Sequence, residues 1–154
     1  MRSDETPAYP LGSALDVLQH LWQLNHALER LSARMEKRLG VTVQQRLVVR
    51  CIGKSPGMTA GQLATVLHVD PGTVSATLNR LEANGLLERR PDVRDRRRVS
   101  LALTVRGQAL DRPTRGTAEG AAERLLETTS DDDLAAMGRV MRALTALFDD
   151  ELSE

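Results

Sequence analysis

The residues with the most chemical content lie between positions 70 and 98. Six of the ten residues in 89–98 are arginines: Arg89, Arg90, Arg94, Arg96, Arg97 and Arg98. Guanidinium groups at that density suit a polyanion, phosphate oxygens above all. Shortly before them runs Asp70-Pro71-Gly72-Thr73-Val74-Ser75-Ala76-Thr77-Leu78-Asn79-Arg80. If Val74, Leu78 and Leu81 face a core, helical spacing points Thr73, Ala76, Thr77 and Arg80 outward and leaves Ser75 and Asn79 near the edge. Small side chains let such a helix approach the floor of a DNA groove. Hydroxyls can bond base edges or phosphates, the Ala76 methyl can meet a thymine methyl, and Arg80 can meet phosphate or guanine. At the start of the segment, free backbone N–H groups of Gly72 and Thr73 would suit a phosphate.

The elements that must hold these residues can be read from periodicity. Leu11, Leu15, Leu18, Leu21, Trp22, Leu28, Leu31, Met35 and Leu39 recur at steps of three and four, which predicts one long amphipathic helix ended by Gly40. At about 40 Å it is too long for a small domain to cover, so part of its stripe should pack on another chain. Thr42 can cap a short helix through Val48, Val49 and Ile52. Thr59 and Gln62 form a capping box for the next, and Asp70-Pro71 opens a third that Asn84-Gly85 closes.

The period then becomes two, predicting a β-hairpin whose strands carry Leu87, Arg89 and Pro91 on one side and Val99, Leu101 and Leu103 on the other. Thr104 should cap a fifth helix running past Leu125, kinked or broken near Asp111 by Pro113. Ser130 and the following aspartates open a last helix with a stripe of Leu134, Met137, Met141, Leu144 and Phe148. The order is four helices, a hairpin and two helices. Helix-turn-helix with a charged hairpin directly behind it reads as a winged helix-turn-helix in a mainly α chain.

The 154 residues hold 21 basic and 21 acidic side chains, which excludes a uniformly basic protein. The charge is segregated, however. Residues 80–106 carry eight arginines against four carboxylates, a net +4, and residues 117–154 carry three against ten, a net −7. An acidic tail would repel DNA and favour docking through the hairpin side. Aromatic residues are 2% of the chain, so the core must be Leu, Val, Ala and Met, which favours helices. Cys51 is the only cysteine, which excludes a disulfide framework and a cysteine-cluster zinc site and fits a reducing cytoplasm.

No stretch reaches the roughly 20 apolar residues of a membrane span, and residues 1–10 read as a short disordered lead, not a signal peptide. There is no Gly-rich phosphate loop, HExxH or nucleophile elbow, and His20, His26 and His68 have no ligand spacing, so neither catalysis, a cofactor nor a metal is expected.

Over roughly residues 42–110 the sequence resembles the MarR family of bacterial winged helix-turn-helix regulators. The resemblance rests on Asp70-Pro71-Gly72-Thr73-Val74-Ser75, on Leu78-Asn79-Arg80-Leu81-Glu82-Ala83-Asn84-Gly85-Leu86-Leu87-Glu88-Arg89, and on Asp92-Val93-Arg94-Asp95-Arg96-Arg97. The exit Leu103-Thr104 followed by Gly107 also matches. It implies a DNA-binding domain over residues 41–104, a helical dimerisation region over 11–40 and 105–154, and a ligand-responsive repressor that binds a palindromic operator as a homodimer.

The expected DNA-binding residues are Gly72, Thr73, Ser75, Ala76, Thr77, Asn79, Arg80, Arg94, Arg96 and Arg97. Spacing leaves open whether the tip arginines or Arg97, the arginine of the Asp-x-Arg motif, make the wing contact. Asp95 is placed to pair with Arg97 across the turn. The family also implies a small-molecule effector pocket bordered by the first helix, where Trp22 and His26 are candidates and Asn25 interrupts the apolar stripe. Arg46 and Arg50 could pair with an acidic ligand, but surface solvation is the plainer expectation. Two rival readings are a winged helix working through protein contacts alone, and an oxidation-sensing regulator using Cys51. The plainer reading of Cys51 is a small buried apolar residue in the second helix.

Overall fold

The computed structural model describes residues 12–92, 95 and 97–153. Its elements are α1 (Ser13–Leu39), α2 (Val43–Lys54), α3 (Ala60–Leu67), α4 (Pro71–Ala83), β1 (Leu87–Pro91), β2 (Val99–Leu103), α5 (Val105–Leu110), α6 (Ala118–Leu126) and α7 (Asp131–Glu151). They divide into two compact units, Met1–Thr114 and Arg115–Glu154. The lead expected over residues 1–10 and the wing-tip residues Arg94 and Arg96 lie outside the described residues.

Helix boundaries follow from local chemistry. Gly40 closes α1 in the left-handed conformation at φ 74°, its N–H donating to the carbonyl of Glu36. Thr42 and Gln45 form a capping box at the start of α2, and Thr59 and Gln62 form another at α3. In the second of these, the Gln62 N–H donates to Thr59 Oγ1 at 3.2 Å and the Thr59 N–H to Gln62 Oε1 at 2.9 Å. His68 ends α3 with a left-handed backbone of its own, φ 53°. The turn to α4 is then only His68, Val69 and Asp70.

The core of the first unit gathers Val48, Val49 and Ile52 from α2, Leu63 from α3, and Val74, Leu78 and Leu81 from α4. Val41, Met58, Ala64 and Leu86 join it, with Leu87 and Leu101 from the hairpin. Each of the Val, Leu, Ile and Met side chains contributes about 1.5–3 kcal/mol on burial, so three helices and the hairpin hold one another in place. The hairpin is antiparallel, with Leu87 opposite Leu103, Arg89 opposite Leu101 and Pro91 opposite Val99. Burial fades along it: Leu101 is buried while Val99 is 50% exposed, because the strands run out past the helices. The far side of β2 also has a partner. The Gly57 N–H donates to the Leu101 carbonyl at 3.3 Å, and the Leu101 N–H to the Met58 carbonyl at 2.8 Å.

The kink or break expected near Asp111 is a break, which divides the segment after Thr104 into two helices. Thr104 caps α5, its Oγ1 accepting from the Gly107 N–H at 3.1 Å and donating to the Gly85 carbonyl at 2.7 Å. The helix stops at Leu110, before Pro113, whose ring excludes a continuing helix and whose nitrogen carries no donor. A new cap, Thr117, starts α6 by accepting from the Gly120 N–H.

Arg46 and Arg50 also depart from expectation, because neither is solvated surface. Arg46 is 1% exposed and donates to the carbonyls of Leu110 at 2.6 Å and Arg112 at 2.9 Å. Arg50 donates to the carbonyl of Asp111 and, at 2.9 Å, to its carboxylate. The break after α5 leaves helix-terminal carbonyls without helical partners, and the two arginines of α2 satisfy them.

The long helices show the stripe that calls for a partner. On α1 only Met35 is buried, while Leu15, Leu18 and Trp22 are exposed. Helix α7 likewise leaves Met137, Val140, Met141, Leu147 and Phe148 exposed. Among the described residues no helix is long and apolar enough to cross a membrane.

Candidate nucleic-acid interface

Helix α4 presents the face that its spacing predicts. Val74, Leu78 and Leu81 are buried, while Gly72, Thr73, Ser75, Ala76, Asn79 and Arg80 are exposed and Thr77 is partly so. The exposed side chains from Gly72 to Thr77 are short, so the helix backbone can come close to a partner surface. Asp70 anchors its start as N-cap, followed by Pro71 at the first helical position.

That cap changes what the helix offers. Asp70 Oδ1 accepts from the Thr73 N–H at 2.9 Å, and Oδ2 accepts from the Thr73 hydroxyl. The hydrogen bonds from Thr73 hold the Asp70 carboxyl below the usual carboxylate range. The Thr73 N–H is therefore not free for phosphate, contrary to expectation, and a carboxylate already occupies the helix start. The Thr77 hydroxyl donates to the Thr73 carbonyl at 3.0 Å. Both hydroxyl protons are used within the helix, so Thr73 and Thr77 face outward as acceptors only.

The hairpin is tied to α4 by charge. Strand alternation places Arg89 on the same face as Leu87 and Leu101, over α4. There Arg89 donates through Nη1 to Glu82 Oε2 and through Nη2 to Asn79 Oδ1, the latter at 2.9 Å. Arg90 pairs with Glu88 on its own strand. The base of the arginine cluster is thus locally neutralised. Neither pairing is visible as a sequence motif, although Glu82 and Asn79 share an α4 face at helical spacing.

Asp92 and Asp95 shape the outer turn. The Arg98 N–H donates to the Asp95 carbonyl at 2.9 Å and the Asp92 N–H to the Arg98 carbonyl at 2.8 Å. Asp95 Oδ1 accepts the backbone N–H of Arg97 at 3.0 Å. The support that Asp95 gives Arg97 is thus to its main chain, in the manner of an Asx turn, and not the guanidinium pairing expected.

The other candidates do not join this surface. Trp22, 78% exposed, and His26, also exposed, lie on α1. Asn25 donates to Glu29 Oε1 at 3.0 Å along the same helix. Cys51 is partly buried against the core, and burial pushes its thiol up from the ordinary value, against a smaller opposing effect of Lys54. Among the described residues no cluster of His, Cys, Asp or Glu could hold a metal ion.

A helix-turn-helix sharing its core with an antiparallel hairpin defines a winged helix-turn-helix protein. Residues 41–99 match the MarR family. The chain is also 32% identical to a MarR family transcription regulator of solved structure, with a TM-score of 0.57 over 92% of this chain and 95% of that one, and it belongs to that family. It is 31% identical over 88 residues to the HTH-type transcriptional repressor Rv2887 of Mycobacterium tuberculosis, covering 57% of this chain and 63% of that protein. It is 35% identical over 74 residues to the homoprotocatechuate degradative operon repressor of Escherichia coli, covering 48% and 50%. The matches therefore span about half to two thirds of these relatives' length. The fold is similar to that of Streptococcus pneumoniae FabT in complex with DNA, with a TM-score of 0.64 at 26% identity over 90% of this chain and 99% of that one.

Proposed function

We propose that the protein is a sequence-specific DNA-binding transcriptional regulator of the repressor type, acting in the cytoplasm as a homodimer on a palindromic operator. The observation that carries this reading is the exposed face of α4, Thr73 to Arg80, with an arginine-bearing hairpin bound directly to it through Arg89. Helix α4 enters the major groove, with Gly72, Thr73, Ser75, Ala76, Thr77, Asn79 and Arg80 facing bases and backbone. Arg94, Arg96 and Arg97 of the wing reach phosphates or the neighbouring minor groove. A second copy covers the exposed apolar faces of α1 and α7, and two-fold symmetry sets half-sites about one helical turn apart. A small-molecule effector, with Trp22 and His26 as contacts, releases the operator by shifting the population of DNA-binding conformers.

Titration against the protein's own upstream DNA at several salt concentrations tests the reading. A regulator binds that DNA far more tightly than random DNA, loses affinity steeply as salt rises, and weakens when Arg94 or Arg97 becomes alanine. Binding no tighter than to random DNA would overturn it. That outcome would favour a winged helix working through protein contacts.

A further inference from the structure

Asn79 is exposed on the reading face, but its amide is not free to turn. An unconstrained asparagine in the major groove pairs with adenine in a bidentate way, its oxygen accepting from N6 and its nitrogen donating to N7. Here Arg89 Nη2 donates to the Asn79 oxygen at 2.9 Å and holds that end of the amide toward β1. Arginine has donors and no acceptor, so the amide atom facing it must be Oδ1; that oxygen keeps a second lone pair, but the planar amide turns Nδ2 with its two hydrogens away from β1. Glu82 holds the same guanidinium through Nη1 and compensates its charge, which keeps Arg89 in place over α4 and weakens any pull toward phosphate.

We infer that Arg89 is a positioning residue for base recognition: the Glu82–Arg89–Asn79 relay holds the Asn79 amide with its donor end leading, and so selects guanine over adenine at one position of each half-site. Guanine presents two adjacent acceptors, O6 and N7, to the major groove. Adenine presents N7 beside an N6 amino group, whose hydrogens oppose those of Asn79 Nδ2. Arg89 acts without touching the base, from the wing strand, so the hairpin contributes to specificity as well as to backbone affinity.

The inference rests on the DNA-binding reading above, and selection from a random duplex pool separates the two. Wild-type protein that enriches no sequence defeats the parent reading itself. If wild type enriches a site, one symmetry-related pair of positions should show a guanine-over-adenine preference of about tenfold. Asn79→Ala removes the preference at that pair alone. Arg89→Leu frees the amide to turn and shifts the preference toward adenine, whereas Arg89→Lys, which can still donate to Oδ1, keeps guanine. Thermal melting of each variant checks folding, and should Arg89→Leu not fold, Asn79→Ala and Arg89→Lys still decide. The relay is refuted if Arg89→Leu binds all sequences more weakly with an unchanged base preference, if Asn79→Ala alters no position, or if the Asn79-dependent position holds adenine in the wild type.

Discussion

The guanidinium of Arg46 donates at 2.6 Å to the carbonyl of Leu110, 64 residues further along the chain. With its second bond to Arg112, it fastens the end of α5 to the middle of the winged-helix core. Replacing Arg46 by methionine preserves much of the volume but strands two carbonyls that have lost a charged donor. The cost should be about 3 kcal/mol, read as a lower midpoint in urea unfolding with an unchanged slope. An unaltered midpoint would show that the two bonds contribute nothing net.

Gly107 and Gly61 make a contrasting pair. A Cβ on Gly107 would stand 2.0 Å from the Leu86 carbonyl oxygen, a backbone atom that Thr104 also uses. Gly107→Ala should therefore destabilise by about 1–3 kcal/mol. A Cβ on Gly61 meets only Thr59 Oγ1, at 3.9 Å. Gly61→Ala should stabilise by about 0.5 kcal/mol through the unfolded chain. Calorimetric melting of the two variants should move in opposite directions.

Asp70 imposes a pH dependence of definite sign. Its carboxyl is held low in the folded protein, chiefly by the Thr73 hydroxyl, so its stabilising contribution is fully present above the ordinary carboxylate value of about 4. It is lost as pH falls from there through the depressed folded value. Asp70→Ala should melt lower than wild type at neutral pH, with the gap narrowing in acid. Asp70→Asn, which keeps a capping oxygen, should lie between them at neutral pH.

Cys51 should react slowly. Burial disfavours its thiolate, so at neutral pH a disulfide reagent ought to modify the folded protein more slowly than free cysteine, with the rate climbing in alkali. Peroxide should leave operator binding of wild type and Cys51→Ser alike. A peroxide response abolished in Cys51→Ser would instead establish oxidation sensing.

Elements controlled by neighbours in sequence are legible in the sequence itself. Thr59 with Gln62, Asp70 with Pro71, and Asn84 with Gly85 mark helix ends because each motif is completed within a few residues. The alternation around Leu87 and Leu101 announces the hairpin in the same way. What escaped depends on distant partners. Arg46 and Arg50 read as surface residues because the carbonyls they satisfy lie more than 60 positions away. Asn79 reads as an ordinary reading-face residue because Arg89 reaches it only after the hairpin folds back. Pro113 marks a kink or break near Asp111, and the choice of a break rests on the cap at Thr117 and on the arginines of α2 that hold the free helix end.

The seat of β2 against Gly57 and Met58 bears on solubility. A two-stranded ribbon has two open edges, either of which can recruit a strand from another molecule. Here the chain's own segment before α3 occupies the β2 edge at Leu101, so that side offers no template there. The β1 edge carries Arg89, Arg90 and Pro91, two cations and a residue with no N–H to give. Paired though they are with Glu82 and Glu88, these two arginines keep the hairpin from extending into a larger sheet, so a variant that replaces them with apolar residues should gain a route to self-assembly along β1.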